Sequence, residues 1–225
     1  MKNSAVAVSG VLAVAVSFSN SALADNHERP DMDPVELYSC TFREGKSMAD
    51  LDALDARYKQ WADRNNKDHS SWRITPLLRS TEGEFHVGYI GSWNDGKAMG
   101  AGMDAWAGNT DLLPEYMATI DCDHSLMASA TIDAPKGPPK DGIVWFSSCH
   151  IQDSASHELA YMTHKKSAAA FREKGGKGQA WLFYPSLGLG DPGLDYYSVV
   201  TFNSMKELGD SWEMYYNGGG WKVGV

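Results

Sequence analysis

Val35-Glu36-Leu37-Tyr38-Ser39-Cys40 and Val144-Trp145-Phe146-Ser147-Ser148-Cys149 are one stretch met twice, 109 residues apart. Extended outward without a gap, the same shift carries Trp72 onto Trp181, Pro76 onto Pro185 and Leu78 onto Leu187. It also carries Asn94, Lys97 and Gly100 onto Asn203, Lys206 and Gly209. Similar pairs fill in between them: Ile90 with Val199, Ser92 with Thr201, Trp93 with Phe202, Trp106 with Tyr215. A repeat this long is one complete supersecondary unit used twice, not a solenoid repeat.

Local patterns supply the elements of the unit. Val35 to Phe42 reads as a strand. Ser47, with Asp50 three residues on, is a helix N-cap. Met48, Leu51, Leu54, Tyr58, Trp61 and Ala62 then hold helical spacing, predicting a helix that ends near Asn65-Asn66. Ser71 to Leu78 and Phe85 to Trp93 read as strands around the turn Ser80-Thr81-Glu82-Gly83. Lys97 to Trp106 reads as a second helix, with Asn94 suited to its N-cap and Gly100 to a close approach. Met117 to Ile132 holds a last strand. The second unit repeats the order: a strand over Ile143–Ile151, a helix over Ser154–Lys174, strands over Gln179–Leu187 and Leu194–Asn203, and a helix over Met205–Asn217. Its last strand is short or missing. The chain thus divides into residues 1–24 (signal), 25–34 (polar leader), 35–132 (first unit), 133–142 (Pro/Gly linker) and 143–225 (second unit).

The order β-α-β-β-α-β is that of the ferredoxin-like split βαβ unit. Each unit leaves one sheet face without helices, so two units are expected to pack sheet against sheet. That arrangement resembles the dimeric α+β barrel superfamily, which includes antibiotic-biosynthesis monooxygenases, NIPSNAP-like proteins and haem-binding relatives, the chlorite dismutases and dye-decolourising peroxidases. The resemblance spans Val35 to about Tyr216 and implies an α+β pseudo-dimer made by one chain. No catalytic motif of the group transfers residue by residue, so it speaks for fold and not for chemistry.

The N-terminus reads as an export signal. Lys2 is followed by the short apolar run Ala5–Val16 and by Ala22-Leu23-Ala24, an A-x-A site, predicting cleavage after Ala24 and a periplasmic or secreted product. The run is too short to span a membrane. Lys2 leaves with the signal, so 19 of the 20 Lys+Arg remain against 29 Asp+Glu, a formal charge of −10. That balance makes nucleic acid and anionic membranes poor partners. Of three cysteines, Cys40 and Cys149 are repeat equivalents and Cys122 is not. Any pair of them, or none, is open to a disulfide.

Duplication also filters the candidates for chemistry: positions shared by both units serve the fold, and positions that differ can serve function. His150, His157 and His164 stand where the first unit has Thr41, Met48 and Asp55. His157, Tyr161 and His164 share a helical stripe facing the sheet or a groove beside it. His150, His157, Tyr161 and His164 are therefore the acid/base candidates. His157 and His164 lie about 10.5 Å apart along the helix and cannot share one metal ion, so no metal site is expected. In Asp121-Cys122-Asp123-His124, alternation puts Cys122 and His124 on one strand face.

Eight tryptophans and ten tyrosines motivate a pocket between the sheets for a small apolar or aromatic molecule, with Trp72, Tyr89, Trp181 and Tyr196 as its lining. The expectation is an exported, monomeric small-molecule binder. A cofactor-free monooxygenase or isomerase, a haem protein and a non-catalytic interaction module are the alternatives. No cofactor is favoured, and haem is the one the resemblance makes possible.

Overall fold

A computed structural model describes residues 30–78, 85–134 and 140–223. The proposed signal and the turn at 80–83 lie outside the described residues. The elements are β1 Met32–Phe42, α1 Met48–Asn65, β2 His69–Ile74, β3 Val87–Trp93, α2 Gly96–Ala107, α3 Leu112–Thr119 and β4 Ile120–Asp133. They continue with β5 Ile143–Cys149, α4 His157–Glu173, β6 Gln179–Leu187, β7 Tyr196–Phe202, α5 Met205–Tyr216 and the 3-10 turn Gly220–Val223.

The seven strands form one antiparallel sheet in the order β2-β3-β1-β4-β6-β7-β5. The two halves do not present two separate sheets. They share one curled sheet, joined edge to edge where β4 pairs with β6, from Leu126 opposite Leu187 to Asp133 opposite Ala180. The 109-residue shift reappears in the pairing. Val35 opposes Ser92 as Val144 opposes Thr201, and Trp72 opposes Ile90 as Trp181 opposes Val199. The halves differ at their ends. β1 is paired on both sides, by β3 and β4. Its counterpart β5 pairs only with β7 among the described residues.

Local chemistry explains most boundaries. Asp50 Oδ2 accepts from the Ser47 backbone N–H at 2.9 Å and from the Ser47 hydroxyl at 2.7 Å, closing the start of α1. The caps of α2 and α5 are not the recurring asparagines but the residues just after them. Asp95 accepts from the N–H groups of Lys97 and Ala98, and Ser204 from that of Glu207. Asn94 donates instead to Asp68, and Asn203 to Glu207. Gly100 and Gly209 face open space, so they allow no close approach. Gly102 does: a Cβ there would meet Asn66 Oδ1 at 2.5 Å and Trp93 Nε1 at 2.7 Å.

Two elements depart from expectation. β1 begins inside the expected polar leader, at Met32, because Pro34 fits in the ladder opposite Ala128. α3 takes the start of the segment expected to be strand. Asn109 Oδ1 accepts from the N–H groups of Asp111 and Leu112, and Pro114 falls in the first turn, where a missing N–H costs nothing.

The helices lie on the convex face. Leu51 of α1 is buried with Cys40, Val87 and Ile120, and Tyr161 of α4 with Ala130, Leu182 and Tyr196. Arg172 of α4 holds Asp133 at the end of β4 and donates to the carbonyl of Gly176. Cys40 and Cys122, directly opposed on β1 and β4, are joined by a disulfide; Cys149 is free.

Candidate functional site

The concave face follows from strand alternation. Val35, Met127, Phe183 and Val199 form a buried cluster there, with Leu37, Ile90, Phe146 and Trp181 against it. Above this floor lies a cavity of about 1710 Å³ whose wall includes Trp72, Trp181, Ile74 and Val144. β2 and β5, the two edges of the sheet, both line it, so it opens where the sheet stops short of closing on itself. Close-packed interiors leave few voids larger than a water molecule, whereas ligand sites occupy roughly 300–1,000 Å³. At about 1710 Å³ this space is larger than that range, an open trough more than a closed pocket.

The residues predicted for ligand contact divide between the faces. Trp72 and Trp181 stand in the cavity wall. Tyr89 borders the cavity, but its hydroxyl turns to α1 and donates to Asp55 Oδ1 at 3.0 Å. Tyr196 is buried on the convex side, its hydroxyl 3.1 Å from His164 Nε2.

The acid/base candidates also gather on the convex side of the second half. The Tyr161 hydroxyl reaches the Thr131 carbonyl at 3.5 Å, and the His157 ring meets the edge of Tyr184 at 5.3 Å. His150 projects into solvent, 3.9 Å from Asp195. Burial lowers the His164 pKa and favours its neutral ring, and burial first, then Cys149, pushes the Tyr196 phenol up to about 12. This cluster is a hydrogen-bonded layer between helix and sheet, on the opposite side of the sheet from the cavity.

No described histidine borders that cavity. Among the described residues it therefore offers no axial imidazole to a haem. Among the described residues, no group of three or more His, Cys, Asp or Glu is placed to hold a metal ion.

The most polar buried centre lies in the first half. Glu36 is 7% exposed, on the convex side of β1. Its Oε2 accepts from the Tyr38 hydroxyl at 2.9 Å and lies 3.0 Å from His124 Nε2. Its Oε1 is 3.2 Å from His69 Nε2, within ion-pair reach but out of line for a hydrogen bond. His69 in turn has its Nδ1 2.9 Å from the Tyr58 hydroxyl and its ring against Trp93. Burial pushes the Glu36 carboxyl up, but His124, His69 and the Tyr38 hydroxyl outweigh it and hold the pKa at about 2. Glu36 is therefore a carboxylate at neutral pH, with half-open His124 between it and solvent.

Gly91, opposite Glu36 on β3, makes this possible. A Cβ there would lie 2.4 Å from Glu36 Oε1 and 2.6 Å from His69 Nε2. Alternation carried a signal for this centre: a glutamate between Val35 and Leu37, on the strand face of Tyr38 and Cys40. Glu36 also differs from its counterpart Trp145, so the repeat filter applied evenly would have flagged it.

No protein-family model matches the chain, and no curated protein matches it. Solved structures do. A putative monooxygenase from Fusobacterium nucleatum aligns with TM-score 0.54 at 10% identity, covering 85% of this chain and 83% of that one. An anthrone oxidase-like protein aligns with TM-score 0.53 at 15% identity, covering 88% and 85%. A mutant chlorite dismutase from Candidatus Nitrospira defluvii aligns with TM-score 0.50 at 10% identity, covering 82% of each. The chain shares the α+β fold of these solved structures. At these identities the likeness concerns fold alone.

Proposed function

We propose that this chain is an exported small-molecule-binding protein, built as a tandem pair of ferredoxin-like units, that holds an apolar or aromatic ligand in the trough of its curled sheet. The observation that carries this is the cavity of about 1710 Å³ with Trp72 and Trp181 in its wall. The tandem reading is supported by the strand pairings that repeat at the 109-residue shift. Export is supported by the signal-like N-terminus and suits the Cys40–Cys122 disulfide.

Passive binding is favoured over turnover because His150, His157, Tyr161 and His164 lie away from the cavity. The test is titration with 1-anilinonaphthalene-8-sulfonate, followed by probe and tryptophan fluorescence. Saturable binding of one probe per chain is expected. Trp72→Ala and Trp181→Ala should each weaken it roughly tenfold, as loss of an aromatic anchor does. Absence of saturable binding, or binding indifferent to both substitutions, would refute the proposal.

A further inference from the structure

Beside the trough, at the end where β1 finishes, lies a second and smaller cavity of about 460 Å³. Thr75, Pro76 and Phe85 line both, so the two spaces share a wall. The smaller one also takes in Arg43, Lys46 and His86, and no described carboxylate lines it. The chain as a whole has 29 Asp+Glu against 20 Lys+Arg, so a wall with cations alone runs against its average. The acids of the trough stand at the far end: Asp33 lies near the start of β1, Asp141 precedes β5 and Glu207 follows β7. Lys140, Arg172 and Lys177 balance them there.

The second half shows that the fold does not need these cations. The Phe42 backbone N–H donates to His86 Nδ1 at 3.0 Å. At the same place in the second half, the Ile151 N–H donates to Asp195 Oδ2 at 2.7 Å. Either acceptor braces the strand end, so no histidine is required for it. Arg43 and Lys46 likewise have Gln152 and Ala155 as counterparts. Because Nδ1 accepts, the His86 ring keeps its proton on Nε2, which is a donor. Arg43 gives Nε to the Met117 carbonyl and Nη2 to Asp121, which offsets part of its charge; neither contact uses Nη1.

We infer, resting on the trough as the binding site, that its ligand is an amphipathic organic anion. The apolar or aromatic body lies in the trough beside Trp72, and the acidic group, a carboxylate, sulfonate or phosphate, is taken at the rim by Arg43, Lys46 and His86. Charge-assisted hydrogen bonds of that kind orient an acidic group, and the apolar floor holds the remainder.

The experiment compares two probes on the oxidised chain: 1-anilinonaphthalene-8-sulfonate, and N-phenyl-1-naphthylamine, which has the same rings without the sulfonate. Lys46→Ala combined with His86→Asp gives the first half the residues of the second, and the aspartate keeps an acceptor for the Phe42 N–H. In that variant the sulfonate probe should bind roughly tenfold more weakly, since one positive charge is lost and a negative one gained, and the uncharged probe should stay within about twofold. The sulfonate probe alone should weaken as salt rises from about 10 to 500 mM. Circular dichroism should be unchanged. An unchanged ratio of the two affinities, whether both persist or both fall together, would overturn the anion assignment. Binding of neither probe to the wild type would instead remove the binding role of the trough, and this inference with it.

Discussion

Asp55 on α1 and His164 on α4 occupy the same place in the two halves, and each reaches tyrosine. Asp55 accepts from the Tyr89 and Tyr116 hydroxyls and from Arg73, at 3.0, 2.8 and 2.8 Å. His164 Nε2 lies 3.1 Å from the Tyr196 hydroxyl. The contrast runs through both outer layers. The first half encloses an ionised glutamate, two histidines and a disulfide beneath α1, α2 and α3. The second has Trp145 in place of Glu36, Val200 in place of Gly91 and a free Cys149 in place of disulfide-bonded Cys40. One strand pairing thus supports two kinds of outer layer, because the ladder constrains backbone register and leaves the convex side chains free.

The largest effect should come from the buried charge. Glu36→Ala strands two histidines and a tyrosine hydroxyl, and urea denaturation should register a loss of about 3–5 kcal/mol. Trp145→Ala, at the matching position, should cost less than about 1 kcal/mol, since Trp145 is partly exposed. Equal losses at the two positions would dissolve the contrast. The same carboxylate predicts an acid limb. Its folded pKa, about 2, lies below the ordinary 4.5, so its contribution is complete above pH 4.5 and is lost as pH falls towards 2. Stability measured across that window should fall less steeply in Glu36→Gln than in the wild type.

Next comes the disulfide, which closes a separation of 82 residues. Replacing Cys40 and Cys122 with alanine should cost about 2–4 kcal/mol, whereas Cys149→Ala should stay within about 1 kcal/mol. A smaller change is expected from Gly91→Ala, whose methyl group collides with Glu36 and His69. Thermal unfolding should place it at about 1–3 kcal/mol, and the same substitution made in a Glu36→Ala chain, where the carboxylate is gone, should cost less, which would show that the collision with Glu36 is a cause. Smallest is Tyr196→Phe, at about 0.5–1.5 kcal/mol. A larger loss there would mean that the second half hides a network as cooperative as the first.

Much of the architecture was legible from residues alone. Capping at Ser47, the alternation of Phe85–Trp93 and the glycine-bounded strand at Gln179–Leu187 are local signals, and the elements formed where those signals stand. α3 escaped because its start depends on Asn109, outside the helix, and on a proline read more readily as a breaker. The candidate site was half legible. Trp72 and Trp181 recur at the 109-residue shift, which assigns them to the shared fold, yet both line the cavity. Tyr89 and Tyr196 have the rings of a pocket wall, but their hydroxyls are committed to Asp55 and His164 on the far side of the sheet. A one-residue difference in strand phase separates the faces, and composition does not carry phase.

By itself the sequence determined what repeats locally: the order of strands and helices, the 109-residue register and the residues able to cap, pair or pack. Three matters were decided only in the tertiary structure. These are the joining of two sheets into one through β4 and β6, the choice of Cys122 as partner for Cys40, and the convergence of Glu36, His69 and His124 on one buried point. Each depends on residues far apart in the chain, brought together by curling and register. No local pattern encodes that distance, because burial and pairing are properties of the assembled layers.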